Sequence, residues 1–265
     1  YSLSEEENLS LNIIINKCKD GEVNEKNISI LSCYFPLYKL MDKIPQIISI
    51  ISSNESFKKL INLQVFEPLE EIKLSNKIKK IGIINDEVSQ KVKSQYEENP
   101  YPRWKCNNPS KDIKLSTIKV INSEIKPNSI KSNLTSKKLK ILIAGCGTGN
   151  QILQAQRYHN SHITGIDLSL SSLSYAQRKI NELNINNVEL IQMDILEASL
   201  LKNHFDIIEC SGVLHHMKDP SKGLQVLLSI LNTSGFLKLG LYSELARKEI
   251  VQAREYISNQ NLSSS

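Results

Sequence analysis

From Leu139 onward the chain alternates two hydrophobic patterns. Short stretches such as Ile141–Ala144 and Ile163–Ile166 carry apolar residues without polar alternation, as in strands covered on both faces of a parallel sheet. Val188–Ile195, Phe205–Ile208 and Phe236–Leu241 are further short stretches rich in apolar residues, which brings the predicted strands to five. Between them the apolar residues move to helical spacing. Leu173, Ala176, Ile180 and Leu183 share one face of a helix after Asp167. Leu224, Leu227, Leu228 and Leu231 share a face of a helix after Pro220, and Ser243 is placed to cap a last helix over Glu244–Tyr256. Strand and helix in strict alternation imply an α/β fold with right-handed crossovers.

Residues 1–95 show only the helical period. Ser2 and Glu5 suit a capping box for a first helix reaching Ile15. A second helix is expected over Ile28–Leu40, broken near Pro36. Phe57, Leu60, Ile61 and Gln64 mark a third, interrupted at Pro68, and Leu69–Lys80 a fourth. No 34-residue consensus repeats firmly, so the region reads as degenerate helical pairs or a helical cap, with an interaction or stabilising role. Asp86 can cap a further helix with Val88, Val92 and Tyr96 on one face, which Pro100 and Pro102 stop. Residues 96–138 then divide into an aromatic, proline-rich segment and a polar connector with one short element around Ile113–Ile121. The aromatic segment suits either a lid or a hydrophobic plug. As a lid, it would bring Tyr96, Tyr101 and Arg103 to a substrate. The expected domains are therefore 1–95, 96–138 and 139–265.

The chemistry gathers where strands end. The first strand runs into Gly145-Cys146-Gly147-Thr148-Gly149 and then a helix. Glycine takes backbone angles closed to other residues and lets a ligand touch the main chain. The following helix would aim its free N–H groups and positive dipole end at that ligand. A nucleotide-like ligand is implied, although the third glycine stands one residue earlier than in the G-x-G-x-x-G of dinucleotide sites. Asp167 ends the second strand at about the ~20-residue distance at which a carboxylate meets the ribose hydroxyls. Asp194 ends the third, where it can accept from an adenine amino group or simply be solvated. His215 and His216 follow the fourth, where an imidazole can act as base or orient an acceptor. Ligands of open α/β sheets sit at these carboxyl ends.

The successive motifs I-L-I-A-G-C-G-T-G-N, G-I-D-L-S, Q-M-D-I-L and F-D-I-I-E-C-S-G-V-L-H-H-M resemble those of class I S-adenosylmethionine-dependent methyltransferases, over roughly Leu139 to Tyr242. The resemblance implies a Rossmann-like methyltransferase sheet with S-adenosylmethionine as cofactor. Gly145, Cys146, Gly147 and Gly149 would pack on its methionine part, Asp167 would bind its ribose, and Asp194 with Ile195 would flank its adenine. Ala144, Leu168 and Ser211 complete the implied cofactor set, and His215 and His216 are the catalytic candidates. The segment Q-Y-E-E-N-P-Y-P-R-W (residues 95–104) resembles the lead-in of bacterial proteins that join tetratricopeptide repeats to such a domain. The family's sheet normally closes with two more strands, for which no room follows Leu241. A fragment or a shortened sheet is expected, with its fifth strand an unprotected edge. The absence of methionine at Tyr1 leads to the same expectation for the N-terminus.

Composition narrows the rest. The apolar fraction of 40% supports a core in 265 residues, and a net charge of +5 is too small and too scattered for a dedicated nucleic-acid binder. Lys137, Lys138 and Lys140 form a small cluster that solvates a linker. Five cysteines without a C-x-x-C pair fit a reducing, cytoplasmic compartment, and no apolar run approaches the ~20 residues of a membrane span. No metal is expected, because neither His215-His216 nor His159 with His162 has a partner ligand at suitable spacing. The function indicated is methyl transfer to a small-molecule or protein acceptor, with a protein partner conceivable through the N-terminal helices. Two other readings stay open: a helical interaction protein with a non-catalytic methyltransferase-like domain, and an NAD-dependent oxidoreductase.

Overall fold

The computed structural model describes residues 3–105, 114–131, 138–243 and 245–260. They divide into two compact units, Tyr1–Asn76 and Lys77–Ser265. Tyr1, Ser2, Ile113, Lys137 and Glu244, all named above, lie outside the described residues.

The first unit is helical. Helix α1 (Glu5–Lys19) does begin at a capping box, but one built from Ser4 and Glu7: the Ser4 hydroxyl accepts from Glu7 N at 3.2 Å and Ser4 N donates to the Glu7 carboxylate at 2.9 Å. Leu11, Ile15 and Cys18 carry the buried face on past Ile15. Asn24 caps α2 (Glu25–Ser32), and a separate short α3 (Leu37–Leu40) follows Pro36. A helical run from α4 (Glu55–Ile61) to α5 (Glu67–Ser75) crosses Pro68 instead of ending there. A π-helical turn over Asn62–Phe66 makes this possible, since widening the ladder accommodates a ring with no N–H to give. Gln64, within that turn, donates to Ser32 O and accepts from Leu37 N, which ties the turn to α2 and α3. Ile28, Leu31, Leu37, Phe57, Ile61 and Val65 belong to one buried cluster.

The second unit is a six-stranded, wholly parallel sheet of order β1-β4-β3-β2-β5-β6. Its strands are β1 (Lys79–Lys80), β2 (Leu139–Ala144), β3 (Ser161–Asp167), β4 (Val188–Gln192), β5 (Phe205–Ser211) and β6 (Leu231–Gly240). Helices α6 (Glu87–Glu98) and α7 (Thr117–Glu124) precede β2, and α8 (Asn150–Ala155), α9 (Leu170–Glu182) and α10 (Pro220–Ser229) cross between strands. Helix α11 (Lys248–Asn259) follows β6 after a 3-10 turn at Leu245–Arg247 that the Ser243 hydroxyl caps, so the last helix begins later than expected.

The sheet separates two apolar layers. Ile141, Ile143, Ile163 and Ile207 face Leu173, Ala176 and Ile180 of α9 on one side. Leu142, Ala144, Ile166 and Ile208 face Leu227 of α10 on the other. Leu228, expected on the same face, is half exposed at 50%, and Leu231 starts β6 opposite Phe205 instead of ending α10. The helix expected to reach Lys80 ends at Ser75, and Lys79 and Lys80 pair with Ile191 and Gln192 as a sixth strand. A strand of two lysines has no hydrophobic signature of its own. The open edge of β4 recruits it, and the flanking Ile78 and Ile81 pack into the opposite apolar layers. At the other edge, β6 pairs with β5 alone among the described strands.

Candidate functional site

The chain runs outward from β2 through β3 to β4, then returns to place β5 on the other side of β2. That reversal opens a crevice at the carboxyl ends of the strands, the place where such sheets bind ligands. A cavity of about 310 Å³ lies there. All four central strands deliver residues to it: Gly145, Cys146 and Gly147 after β2, Asp167 and Leu168 at β3, Asp194 and Ile195 after β4, and Ser211 at β5.

The glycine loop divides its work. Gly145 and Gly149 (φ +75° and +89°) are fixed by packing: a Cβ on Gly145 would stand 2.3 Å from Val213 Cγ2, and one on Gly149 would stand 2.9 Å from Ala176 Cβ. Gly147 (φ +49°) would aim a Cβ into open space, so there the missing side chain leaves the main chain open to direct approach. Its N–H donates to Asp167 Oδ2 at 2.8 Å, while Asp167 Oδ1 accepts from Ser169 N at 2.9 Å. A carboxylate has about four acceptor positions, so two remain for a vicinal diol. Burial pushes the Asp167 pKa above its usual value, opposed by the Ser169 and Gly147 N–H groups and assisted by Glu97. Asp194 is buried and caps the following 3-10 turn through Leu196 N at 3.0 Å. Burial, then Asp167, push the Cys146 thiol well above its usual pKa, which makes it a packing group and not a nucleophile.

The aromatic segment is both cover and plug. Tyr96, Tyr101 and Pro102 line the cavity. Trp104 faces inward: its Nε1 donates to Thr148 O at 3.0 Å, its ring meets Tyr175 edge-on at 5.9 Å, and its carbonyl accepts from the Tyr175 hydroxyl. Thr148 Oγ1 donates to Pro102 O at 2.6 Å. Arg103 does not line the cavity; its guanidinium lies 4.7 Å from the Tyr175 ring centroid. Ala144 and Gly149 are likewise behind the wall. The two histidine rings lie 4.2 Å apart between centroids, and only one of them reaches the cavity. His216 lines the cavity with Met217, whereas His215 stacks on Tyr242 at 3.9 Å between centroids. Both His215 ring nitrogens are buried without a hydrogen-bond partner among the described residues. Burial, then His216 and Arg247, lower its pKa.

Several lining residues escape a sequence reading. Gln151, in the first turn of α8, donates to Ser211 O at 3.1 Å and leaves its Oε1 buried with no partner among the described residues. Ser172, fully buried in the first turn of α9, has a hydroxyl with no partner among the described residues. Ser89 and Val92 come from α6. Polar residues in the first turn of a helix that follows a site strand are the signal available for Gln151 and Ser172.

A crevice floored by a glycine loop and walled by two strand-end acids defines a nucleoside-binding Rossmann-like domain. Residues 135–262 match the methyltransferase domain family. S-adenosylmethionine is the cofactor of that class, and the site fits it: Gly147 leaves room for direct main-chain approach, Asp167 keeps two acceptor positions, and Ser172 and Gln151 offer polar atoms with no partner among the described residues. The match selects the methyltransferase reading over the dehydrogenase one. An uncharacterized protein of Synechococcus sp. is 37% identical over 121 residues, covering 45% of this chain and 29% of that protein. The ubiquinone biosynthesis O-methyltransferase of Coxiella burnetii is 27% identical over 125 residues, covering 47% and 52%. Among solved structures, PKMT2 from Rickettsia typhi in complex with AdoHcy is 30% identical with a TM-score of 0.40, covering 48% of this chain and 26% of that one. The chain thus spans less than two thirds of the length of these relatives. Among the described residues no group of three or more His, Cys, Asp or Glu could hold a metal, and no helix is long and apolar enough to cross a membrane.

Proposed function

We propose that the chain transfers a methyl group to a small-molecule or protein nucleophile admitted beside Tyr96, Tyr101 and His216. The observation that carries this reading is the cavity itself, where Gly147, Asp167 and Asp194 converge from three strands. S-adenosylmethionine, when bound, supplies an activated methyl group and its own leaving group. The protein's task is then to align, enclose and, where the acceptor needs it, take up a proton. Asp167 accepts from the ribose hydroxyls with its two remaining lone-pair positions. Asp194 and Ile195 bracket the base, and the Gly147 main chain bears on the amino-acid end. Tyr101 and Pro102 exclude water from above. The His216 imidazole, at the wall, orients the acceptor and receives its proton as the new bond to carbon forms. A cytoplasmic setting suits the scattered free thiols, and the N-terminal helices are the candidate surface for a protein partner.

Calorimetric titration with S-adenosylmethionine, S-adenosylhomocysteine and NAD tests the reading. Micromolar binding of the first two and none of NAD is expected. Asp167→Ala should weaken binding at least ~30-fold, about 2 kcal/mol, the scale of charge-assisted hydrogen bonds. Binding of NAD alone, or an Asp167→Ala variant that binds as well as the wild type, would overturn it.

A further inference from the structure

We propose that Glu97 is a positioning residue of the cofactor site, latching the end of α6 onto the start of α9 so that Tyr96 and the Tyr101–Trp104 strap stay over Asp167. The inference rests on the reading of the cavity given above. Helix α9 already has its own cap, Ser169, whose hydroxyl accepts from Ser172 N at 3.0 Å. The first two helical N–H groups remain, and Glu97 takes both from a different part of the chain. Its Oε1 accepts from Leu170 N at 2.8 Å, and its Oε2 from Ser171 N at 2.9 Å and the Ser171 hydroxyl at 2.7 Å. A full negative charge at a helix N-terminus, holding three donors, makes a charge-assisted contact that is stronger than a neutral one. Next to it, the Ser169 hydroxyl donates to Tyr96 O at 3.1 Å.

The latch is one hop from the ribose-binding acid. Ser169 links Tyr96 O to Asp167 Oδ1, and Asp167 Oδ2 receives Gly147 N. Beyond α6 the strap is pinned again, by Thr148 on Pro102 and by Thr148 and Tyr175 on Trp104. Between those fastenings Tyr101 is 74% exposed yet lines the cavity. A strap held at two ends and free in the middle can cover a ligand without being part of the sheet. Release of Glu97 leaves the single Ser169–Tyr96 hydrogen bond to hold the α6 end, and the cover is less firmly fixed over the ribose site.

The chain's only tryptophan is Trp104, so the strap carries its own reporter. The test compares the full chain as wild type, Glu97→Gln, Ser171→Ala and, as a surface control, Glu98→Gln. Each is read by S-adenosylhomocysteine titration, dissociation rate, acrylamide quenching of Trp104 and thermal unfolding. Glu97→Gln should bind about tenfold more weakly, mainly through faster dissociation, with Trp104 more open to quencher and unfolding little changed. Ser171→Ala, which loses one donor of three, should fall between, and Glu98→Gln should match the wild type. Affinity within twofold of wild type together with unaltered quenching in Glu97→Gln overturns the proposal, as does a loss matched by Glu98→Gln. A Glu97→Gln chain that fails to fold leaves Ser171→Ala to decide by the same two readings. Should the wild type itself not bind S-adenosylhomocysteine, the methyltransferase reading falls, while Trp104 quenching still shows whether Glu97 holds the strap.

Discussion

Gly145 and Gly147 stand two residues apart in one loop and have different reasons to be glycine. A methyl group on Gly145 would collide with Val213 at 2.3 Å, whereas on Gly147 it would meet nothing within 4 Å. Both substitutions carry the cost of a positive φ, roughly 1–2 kcal/mol. Gly145→Ala should therefore lower the unfolding temperature clearly and lose binding as a consequence. Gly147→Ala should stay closer to wild type in unfolding and lose S-adenosylhomocysteine binding directly. Calorimetry and thermal melts on the pair separate the two, and equal behaviour in both would contradict the geometry. The strand-end acids and the glycine loop were legible in the sequence because each is set by its immediate neighbours: a buried strand, then a turn, then a helix. Glu97 was not legible. Nothing local distinguishes it from Glu98, and its partners Leu170 and Ser171 lie on another helix that only the fold brings near. His215 shows the same limit, since nothing in its immediate neighbours announces its stacking on Tyr242.

Among the elements, the central strands followed from their unbroken apolar runs, and the ends of elements did not. A boundary depends on who satisfies the last N–H or C=O, and that partner is often remote. The π turn that lets α4 run into α5 past Pro68 and the recruitment of β1 by β4 are both of this kind. A second joint between elements is ionic. Arg157, just past α8, reaches Glu209 of β5 at 2.6 Å and Glu124 of α7 at 3.0 Å, and Lys238 of β6 reaches Glu124 at 2.9 Å. Tyr158 adds its hydroxyl to Glu209 at 3.0 Å. Burial lowers the Arg157 pKa, but Glu209, Tyr158 and Glu124 more than reverse it, and burial followed by Glu209 raises that of Tyr158. Removing one partner of a buried pair leaves a charge stranded. Arg157→Ala should cost about 3 kcal/mol in denaturant unfolding, whereas Arg157→Met with Glu209→Leu should cost much less. A single variant as stable as the double would show that the joint does not hold these elements together.

At the scale of the molecule, every residue found at the cavity belongs to the unit Lys77–Ser265. Expressed alone, residues 77–265 should bind S-adenosylhomocysteine within about threefold of the full chain, as expected of a domain with its own core. A loss of an order of magnitude would assign residues 1–76 a share in the site. The parallel pairing of β1 also fixes an order of events during synthesis. Lys79 leaves the ribosome long before its partner Ile191, and at ~5–20 residues per second the interval is roughly 6–20 s. Through that time the glycine loop and Asp167 can settle on β2 and β3, while β1 waits beside them without an edge to join. The floor of the site is thus laid well before the strand that leads into its cover finds its place, and a nascent chain stalled short of β4 would have the former without the latter.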